Sequence, residues 1–167
     1  MLKQRTARPI AGQSGESRMT LSKVEATFCE RELGELVRTS SGVEAALIAT
    51  GDGFEVACVS RAKTVDAARV SGLASSVLAR QGASQREHDL KASRSAVMEA
   101  DGGVVLLFSV PCQRADLILA AVASKDTTLG MCLVDVRRCA EELARRLDQG
   151  YSAKSRPAAA EKLEKLA

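Results

Sequence analysis

The sequence predicts a mixed α/β (α+β) domain, with a single five-stranded, mostly antiparallel sheet covered by helices in the order α-β-β-α-β-β-β-α. Three observations predict it. Apolar runs of strand length fall into two groups, and short turns such as Gly51–Gly53 and Asp101–Gly103 join strands within a group, which favours antiparallel neighbours. Stretches with helical apolar spacing precede, separate and follow these groups. A chain of 167 residues suffices for one such domain.

The first helix is predicted at about residues 20–40. Thr20 or Ser22 can serve as its N-cap, and Glu25 stands three residues after Ser22, as in a capping box. Gly42 marks its end. The strands of the first group are predicted at 43–50 and 54–60.

The second helix is predicted from an N-cap at Thr64 to about Arg80 or Ala83. The polar segment 83–93, which contains the single histidine His88, is interpreted as a loop or an irregular entry into the next strand. The strands of the second group are predicted at 94–100, 104–110 and 117–123.

The last helix is predicted at about 128–148, where an apolar stripe faces a charged side, and Gly150 is expected to end it. The predicted domain is therefore 20–149. Residues 1–19 are expected to form a flexible tail, and residues 150–167 a tail with a short, frayed helix.

Charge and composition exclude several classes of function. The formal net charge is +3, but residues 1–19 carry +3 and residues 150–167 carry +2, which leaves −2 between them. A basic face for DNA is therefore not expected on the domain, and aromatics at 2% are too few for a base-stacking platform. No apolar run approaches the roughly 20 residues of a membrane span. We expect a cytoplasmic protein with no nucleic-acid partner.

The sequence offers little material for catalysis or metal binding. Five cysteines, an odd number without a Cys-x-x-Cys pair, indicate a reducing compartment. Cys132 and Cys139 share a helix face, which is compatible with metal binding, but with one histidine in the chain buried thiols are the better interpretation. Spacing alone permits a Cys58–His88 dyad, and nothing else supports it. No phosphate-binding P-loop is present. We therefore expect no catalytic, metal or cofactor site.

The second helix has two contrasting sides. Apolar residues on one side can pack on the sheet: Val70, Leu73, Ala74, Val77 and Leu78. The opposite side, called the small-residue face below, has no residue larger than Ser: Ala68, Gly72, Ser75, Ser76 and Ala79. A solvated face usually carries Lys, Glu or Gln, whereas small residues let another backbone come close. The face therefore predicts a helix–helix contact between subunits, with a merely Ala- and Ser-rich sequence as the alternative.

Basic residues border this helix. Arg69 and Arg80 lie on its flank, and Arg61 and Lys63 precede it. They are either ordinary solubilising charges or a rim that meets an acidic protein partner; for the second interpretation we take Lys63, Arg69 and Arg80 as candidate contacts.

The ordered set of elements resembles the roadblock / dynein light chain family over about residues 20–148. The matching features are Gly42-Val43-Glu44-Ala45-Ala46-Leu47 after the first helix, the turns Asp52-Gly53 and Asp101-Gly102, the small-residue second helix, the strands 104–110 and 117–123, and Leu129-Gly130 opening the last helix.

The resemblance implies a homodimer in which the second helices lie side by side and the sheets join through the strand at 94–100, with Ser95 and Val97 in the contact. It also implies work beside Ras-like small GTPases. The bacterial branch that controls cell polarity and gliding motility binds such a GTPase and promotes its GTP hydrolysis without donating an arginine finger, and other members are scaffolds. We therefore expect a non-enzymatic, homodimeric regulator or scaffold of a Ras-like small GTPase in signalling.

Two alternatives of other classes stay open. One is a small-ligand sensor domain in a signalling pathway, with a pocket between the second helix and the sheet. The other is an enzyme with a cysteine nucleophile.

Overall fold

The structure, a computed structural model, describes residues 3–5, 21–61, 66–88, 95–100, 102–113 and 115–154. Its helices are α1 (Lys23–Thr39), α2 (Ala67–His88) and α3 (Leu129–Lys154). Its strands are β1 (Lys3–Arg5), β2 (Val43–Thr50), β3 (Glu55–Ser60), β4 (Ser95–Ala100), β5 (Gly103–Val110) and β6 (Leu117–Ala123).

The strands form one sheet in the order β1-β3-β2-β6-β5-β4, and each pair of neighbours is antiparallel. The five predicted strands are β2 to β6, so the fold class and the element order are confirmed. The hairpin β2–β3 and the meander β4–β5–β6 meet where β2 pairs with β6 in the middle of the sheet. A bulge near Val43 shifts the register at the start of β2.

A sixth strand was not predicted. Residues 3–5 pair with β3, with Lys3 opposite Ser60 and Arg5 opposite Cys58. This short strand lies inside the segment 1–19 that the sequence analysis assigned to a flexible tail. Residues 6–20 lie outside the described part of the chain.

Helices cover both faces of the sheet. α1 packs on β2 and β3 and α3 on β5 and β6, both on one face, while α2 packs on the other. Strands in the middle of the sheet therefore need apolar side chains on both sides. β6 shows this, because every residue from Leu117 to Ala123 except Val122 is buried. This is why the strands are continuous apolar runs rather than alternating ones.

The ends of the helices follow local chemistry. At α1, Ser22 is the N-cap and forms the predicted capping box with Glu25. At the other end of α1, the guanidinium of Arg61 donates to the main-chain carbonyl of Val37. At α2, the Asp66 carboxylate accepts a hydrogen bond from the backbone N–H of Arg69 at 3.3 Å, as an N-cap does.

Two predicted boundaries differ from the structure. α2 continues to His88, so residues 83–88 of the segment predicted as non-helical are helical, and residues 89–94 lie outside the described part of the chain. Gln85, Arg86 and Glu87 lack apolar periodicity but are compatible with a helix. α3 continues past Gly150 to Lys154, because an exposed glycine can keep helical geometry when nothing requires a turn there. Thr64, the predicted cap of α2, lies outside the described residues.

Candidate dimer and partner interface

α2 is rotated relative to the sequence-based expectation. Ser71 and Ala74 are buried against the sheet, with 1% and 0% of their surfaces exposed. Leu73, which was expected to face the sheet, is 44% exposed, so that part of the prediction is wrong. Val70, Val77 and Leu78 are only partly buried. Because Ser71 and Ala74 are small, α2 can pack close to the sheet at these two positions. In this orientation Leu73 points away from the sheet.

Most of the described part of the small-residue face is exposed to solvent. Ala68, Gly72 and Ser76 are exposed, whereas Ser75 is half-buried. Ser75 packs against the β2–β3 turn: a Cβ placed on Gly53, whose φ is +89°, would lie 2.9 Å from the Ser75 hydroxyl oxygen. The side chain of Ala79 lies outside the described part. Among the residues whose side chains are described, the exposed part of the small-residue face therefore consists of Ala68, Gly72 and Ser76.

The serine hydroxyls of this face are satisfied within the helix. Ser75 Oγ and Ser76 Oγ both donate to the Gly72 carbonyl, at 3.1 and 2.9 Å. A buried hydroxyl without a partner is costly, whereas one bonded to its own helix needs nothing from an incoming surface. A second helix can therefore cover this face with little loss of hydrogen bonding.

Gly72 has no neighbour that requires a glycine. A Cβ placed there would meet nothing within 4 Å. Glycine inside a helix costs roughly 0.5–1 kcal/mol relative to alanine. Packing among the described residues does not offset this cost, but the close approach of a second backbone would.

The β4 edge extends the candidate interface. β4 ends the sheet opposite β1, so its outer edge has no strand partner among the residues that the structure describes. Ser95 is half-buried and Val97 is 41% exposed. The opposite side of β4 carries Ala96 and Met98, which pack with the α2 core. Successive residues of β4 thus alternate between the α2 side and the opposite side of the sheet.

One exposed side chain was missed by the sequence analysis. Phe54 follows the turn glycine Gly53, which packs against Gly72 and Ser75, and it is 48% exposed. Its signal in the sequence is a large apolar residue directly after a Gly-Asp-Gly turn. Phe54 and Leu73 therefore join the candidate interface as its exposed large apolar residues.

The predicted basic rim is only partly described. Arg69 is exposed at the start of α2. Lys63 lies outside the described residues, and so does the side chain of Arg80. Arg61 does not belong to this rim, because its guanidinium bonds to the last turn of α1.

Solved structures share this arrangement of strands and helices. An MglB protein in a tetrameric arrangement matches with a TM-score of 0.68 at 19% sequence identity, over 78% of this chain and 96% of that one. The gliding protein MglB from Thermus thermophilus matches over the same shares, with a TM-score of 0.68 at 18% identity. The Roadblock/LC7 domain from Streptomyces avermitilis gives 0.61 at 18% identity, over 71% and 96%. This chain has the roadblock fold.

The similarity is structural. No protein-family sequence profile matches the chain, and no curated protein matches it by sequence. The resemblance deduced from the element order is thus confirmed at the level of the fold.

Two thiols of this roadblock fold, those of Cys29 and Cys139, are poorly suited to nucleophilic chemistry. Burial raises the pKa of the Cys29 thiol to about 12, with the Glu25 carboxylate adding to the effect. Burial likewise raises the pKa of the Cys139 thiol to about 12. A thiol must ionise to attack, so these two are unreactive near neutral pH.

The remaining chemical interpretations concern Cys132, Cys58 and the alternatives left open. Cys132 is 1% exposed, as predicted for a buried thiol, whereas Cys139 is only half-buried. Cys58 is buried beneath α2, and the side chain of His88 is not described. Within the described ranges, no three His, Cys, Asp or Glu residues form a metal-binding group, and no helix is long and apolar enough to cross a membrane. The ligand-sensor and cysteine-enzyme alternatives stay predictions.

Proposed function

We propose that this chain is a homodimeric, non-enzymatic regulator or scaffold that binds a Ras-like small GTPase in the cytoplasm. The observation that carries the proposal is the exposed small-residue face of α2, next to the open edge of β4, on a roadblock fold. The likeness to MglB proteins, one of them named a gliding protein, supports a role in polarity or motility signalling.

In the proposed dimer, two copies pair through α2 and β4. Small residues at Ala68, Gly72 and Ser76 let the α2 backbones approach closely. The two β4 edges pair in the same step, which satisfies main-chain groups that water would otherwise hydrate. Val97 and Leu73 lose exposed apolar surface in this contact. The two-fold arrangement uses the same patch on both subunits, so the assembly closes at two copies.

The oligomeric state tests the dimer. Gly72→Leu places a bulky side chain between the two α2 helices, so we expect it to convert a dimer into a monomer by mass in solution. Gly130→Leu is the matched control, because Gly130 is also helical and exposed and a Cβ there also meets nothing within 4 Å. A monomeric wild type, or a Gly72→Leu dimer with unchanged affinity, would contradict the dimer.

Binding and hydrolysis assays test the partner. Purified Ras-like GTPases from the same organism, loaded with GDP or a non-hydrolysable GTP analogue, are passed over the immobilised chain. We expect one of them to bind, with a preference for one nucleotide state, and a GTP hydrolysis assay then separates an activator from a scaffold. No binding in either state would refute the partner.

A charge reversal tests the rim on the same GTPase. Arg69→Glu should weaken association roughly tenfold or more, since a close opposite-charge pair across an interface is replaced by repulsion. Arg138→Glu on α3, where the side chain is 77% exposed, makes the same charge change away from α2 and serves as the control. Equal effects of both variants would show that only the net charge matters.

A further inference from the structure

The two edges of the sheet are treated differently by the chain. The β4 edge is open among the described residues, whereas the β3 edge is covered by the short strand β1. Without β1, β3 would be the outermost strand on its side. As an outermost strand, β3 would be prone to pair with other molecules, because its only charged residue is Glu55 and the next five residues are Val-Ala-Cys-Val-Ser.

An uncharged, apolar edge strand invites pairing with the edge of another molecule. Proteins prevent this with short edge strands, with charged residues and with segments that cover the edge. β1 combines these features: it is three residues long, its sequence is Lys-Gln-Arg, and it pairs with positions 58–60 of β3. Its positive charges are part of the +3 that residues 1–19 contribute.

We propose that residues 3–5 are an edge cap that closes the β3 side of the sheet and leaves β4 as the free edge of the described sheet. The cap sets the size of the assembly. With both edges open, each copy could join neighbours on two sides, and such heterologous contacts grow into open chains. When β1 covers β3, the assembly grows no further than the oligomer that forms through β4 and α2. This inference does not depend on the GTPase or on the dimer.

A designed disulfide tests the pairing itself. Arg5 lies directly opposite Cys58, and paired residues of antiparallel strands have Cα separations that a disulfide can span. Arg5→Cys, treated with oxidised glutathione, should give an intramolecular 5–58 disulfide, identified by peptide mass spectrometry. Gln4→Cys is the matched control, because Gln4 lies opposite Val59. Equal cross-linking of both variants to Cys58, or none from position 5, would overturn the proposal.

Removal of the cap tests its role. A chain lacking residues 2–5 should form assemblies at least twice the mass of the full-length protein at the same concentration, with its far-ultraviolet circular dichroism retained. The oxidised Arg5→Cys protein should keep the full-length mass.

A variant of unchanged length controls for a folding defect that the deletion of residues 2–5 could cause. Lys3→Gly, Gln4→Ser and Arg5→Gly together remove both positive charges, and the two glycines raise the entropic cost of holding the segment extended. This variant should also form the larger assemblies. If both uncapped proteins fold and keep the full-length mass, the cap has no role in assembly and the proposal fails.

Discussion

Cys29 and Cys139 show how burial changes the chemistry of a single residue. Cys29 has no exposed surface, and the negative charge of the Glu25 carboxylate adds to the effect of burial on its pKa. Desolvation and negative charge both disfavour the thiolate, so the pKa is raised. The sequence predicted buried thiols from apolar neighbours, but it could not show that Glu32 of α1 comes near Cys139 of α3, which happens only in the fold.

The pKa values predict a pattern of alkylation. Iodoacetamide at pH 8 should leave Cys29 and Cys139 unmodified in the folded protein, because both are protonated far below their pKa of about 12. In guanidinium chloride all five cysteines should react, as mass spectrometry of the peptides would show. A thiol that reacts faster in the folded protein than in the unfolded chain would favour the cysteine-enzyme alternative.

The same pKa values predict how stability depends on pH. The pKa of a thiol in the unfolded chain is about 9.0, so the unfolded state releases these protons first as the pH rises. The stabilising effect of the protonated thiols is therefore complete below about pH 9 and is lost as the pH rises toward 12. Replacing Cys29 and Cys139 by Ala should flatten this part of the stability curve in denaturant titrations.

Ser71 and Leu73 show that the hydrophobic pattern of α2 does not determine which of its residues face the sheet. A helical wheel places both near an apolar boundary, and hydrophobicity alone assigns Leu73 to the core. The fold instead buries Ser71, whose hydroxyl donates to the carbonyl of Ala68 at 3.1 Å. A small, internally satisfied side chain lets α2 approach the sheet, and this depends on the helix–sheet distance, which the sequence does not state.

At the scale of elements, α1 begins with the clearest local signal in the chain. Glu25 Oε2 accepts a hydrogen bond from the Ser22 backbone N–H at 2.7 Å, and the Glu25 N–H donates to Ser22 Oγ at 3.4 Å. These bonds satisfy amide groups that the first turn of any helix leaves unpaired. Because the signal is local, it could be deduced from the order of residues alone.

Removing this cap should destabilise the protein. Ser22→Ala is expected to lower the free energy of unfolding by about 1 kcal/mol, measured by urea denaturation. Thr27→Ala is the control: Thr27 is an exposed helical residue whose hydroxyl bonds to the Lys23 carbonyl, so its loss should be neutral or slightly stabilising. Equal losses from both variants would mean that the capping box contributes nothing specific.

Strands were predicted more accurately than helix ends. β6 was placed at its observed bounds, because a long apolar run bounded by polar residues has few other interpretations. β1 was missed because Lys-Gln-Arg has no strand preference of its own, and only the edge of β3 holds it extended. Elements whose cause is local can be predicted from the sequence, and those created by a distant partner cannot.

At the scale of the whole molecule, the two sides of the sheet are unequal. The α1/α3 side contains a large buried core with Leu33, Leu119 and Leu143, whereas fewer residues are buried beneath α2. Among its described side chains, only Ser71 and Ala74 of α2 are fully buried. α2 therefore gains less from its own subunit than the other helices do.

Hydrogen exchange should reveal this difference. In dilute protein, amides of α2 should exchange faster than those of α3, because opening α2 exposes less apolar surface. Raising the concentration should slow exchange in α2 and leave α3 unchanged, as mass spectrometry of the peptides would show. Exchange in α2 that does not respond to concentration would contradict pairing through this helix.

The pairing of β2 with β6 also divides the molecule in a useful place. A cut between His88 and Ser95 leaves β1, α1, β2, β3 and α2 on one polypeptide and β4, β5, β6 and α3 on the other. One piece then carries β2 and the other carries β6, so each piece lacks the strand that pairs with its own in the middle of the sheet. Fused to separate baits, the two pieces would act as a split reporter that regains structure only when the baits meet.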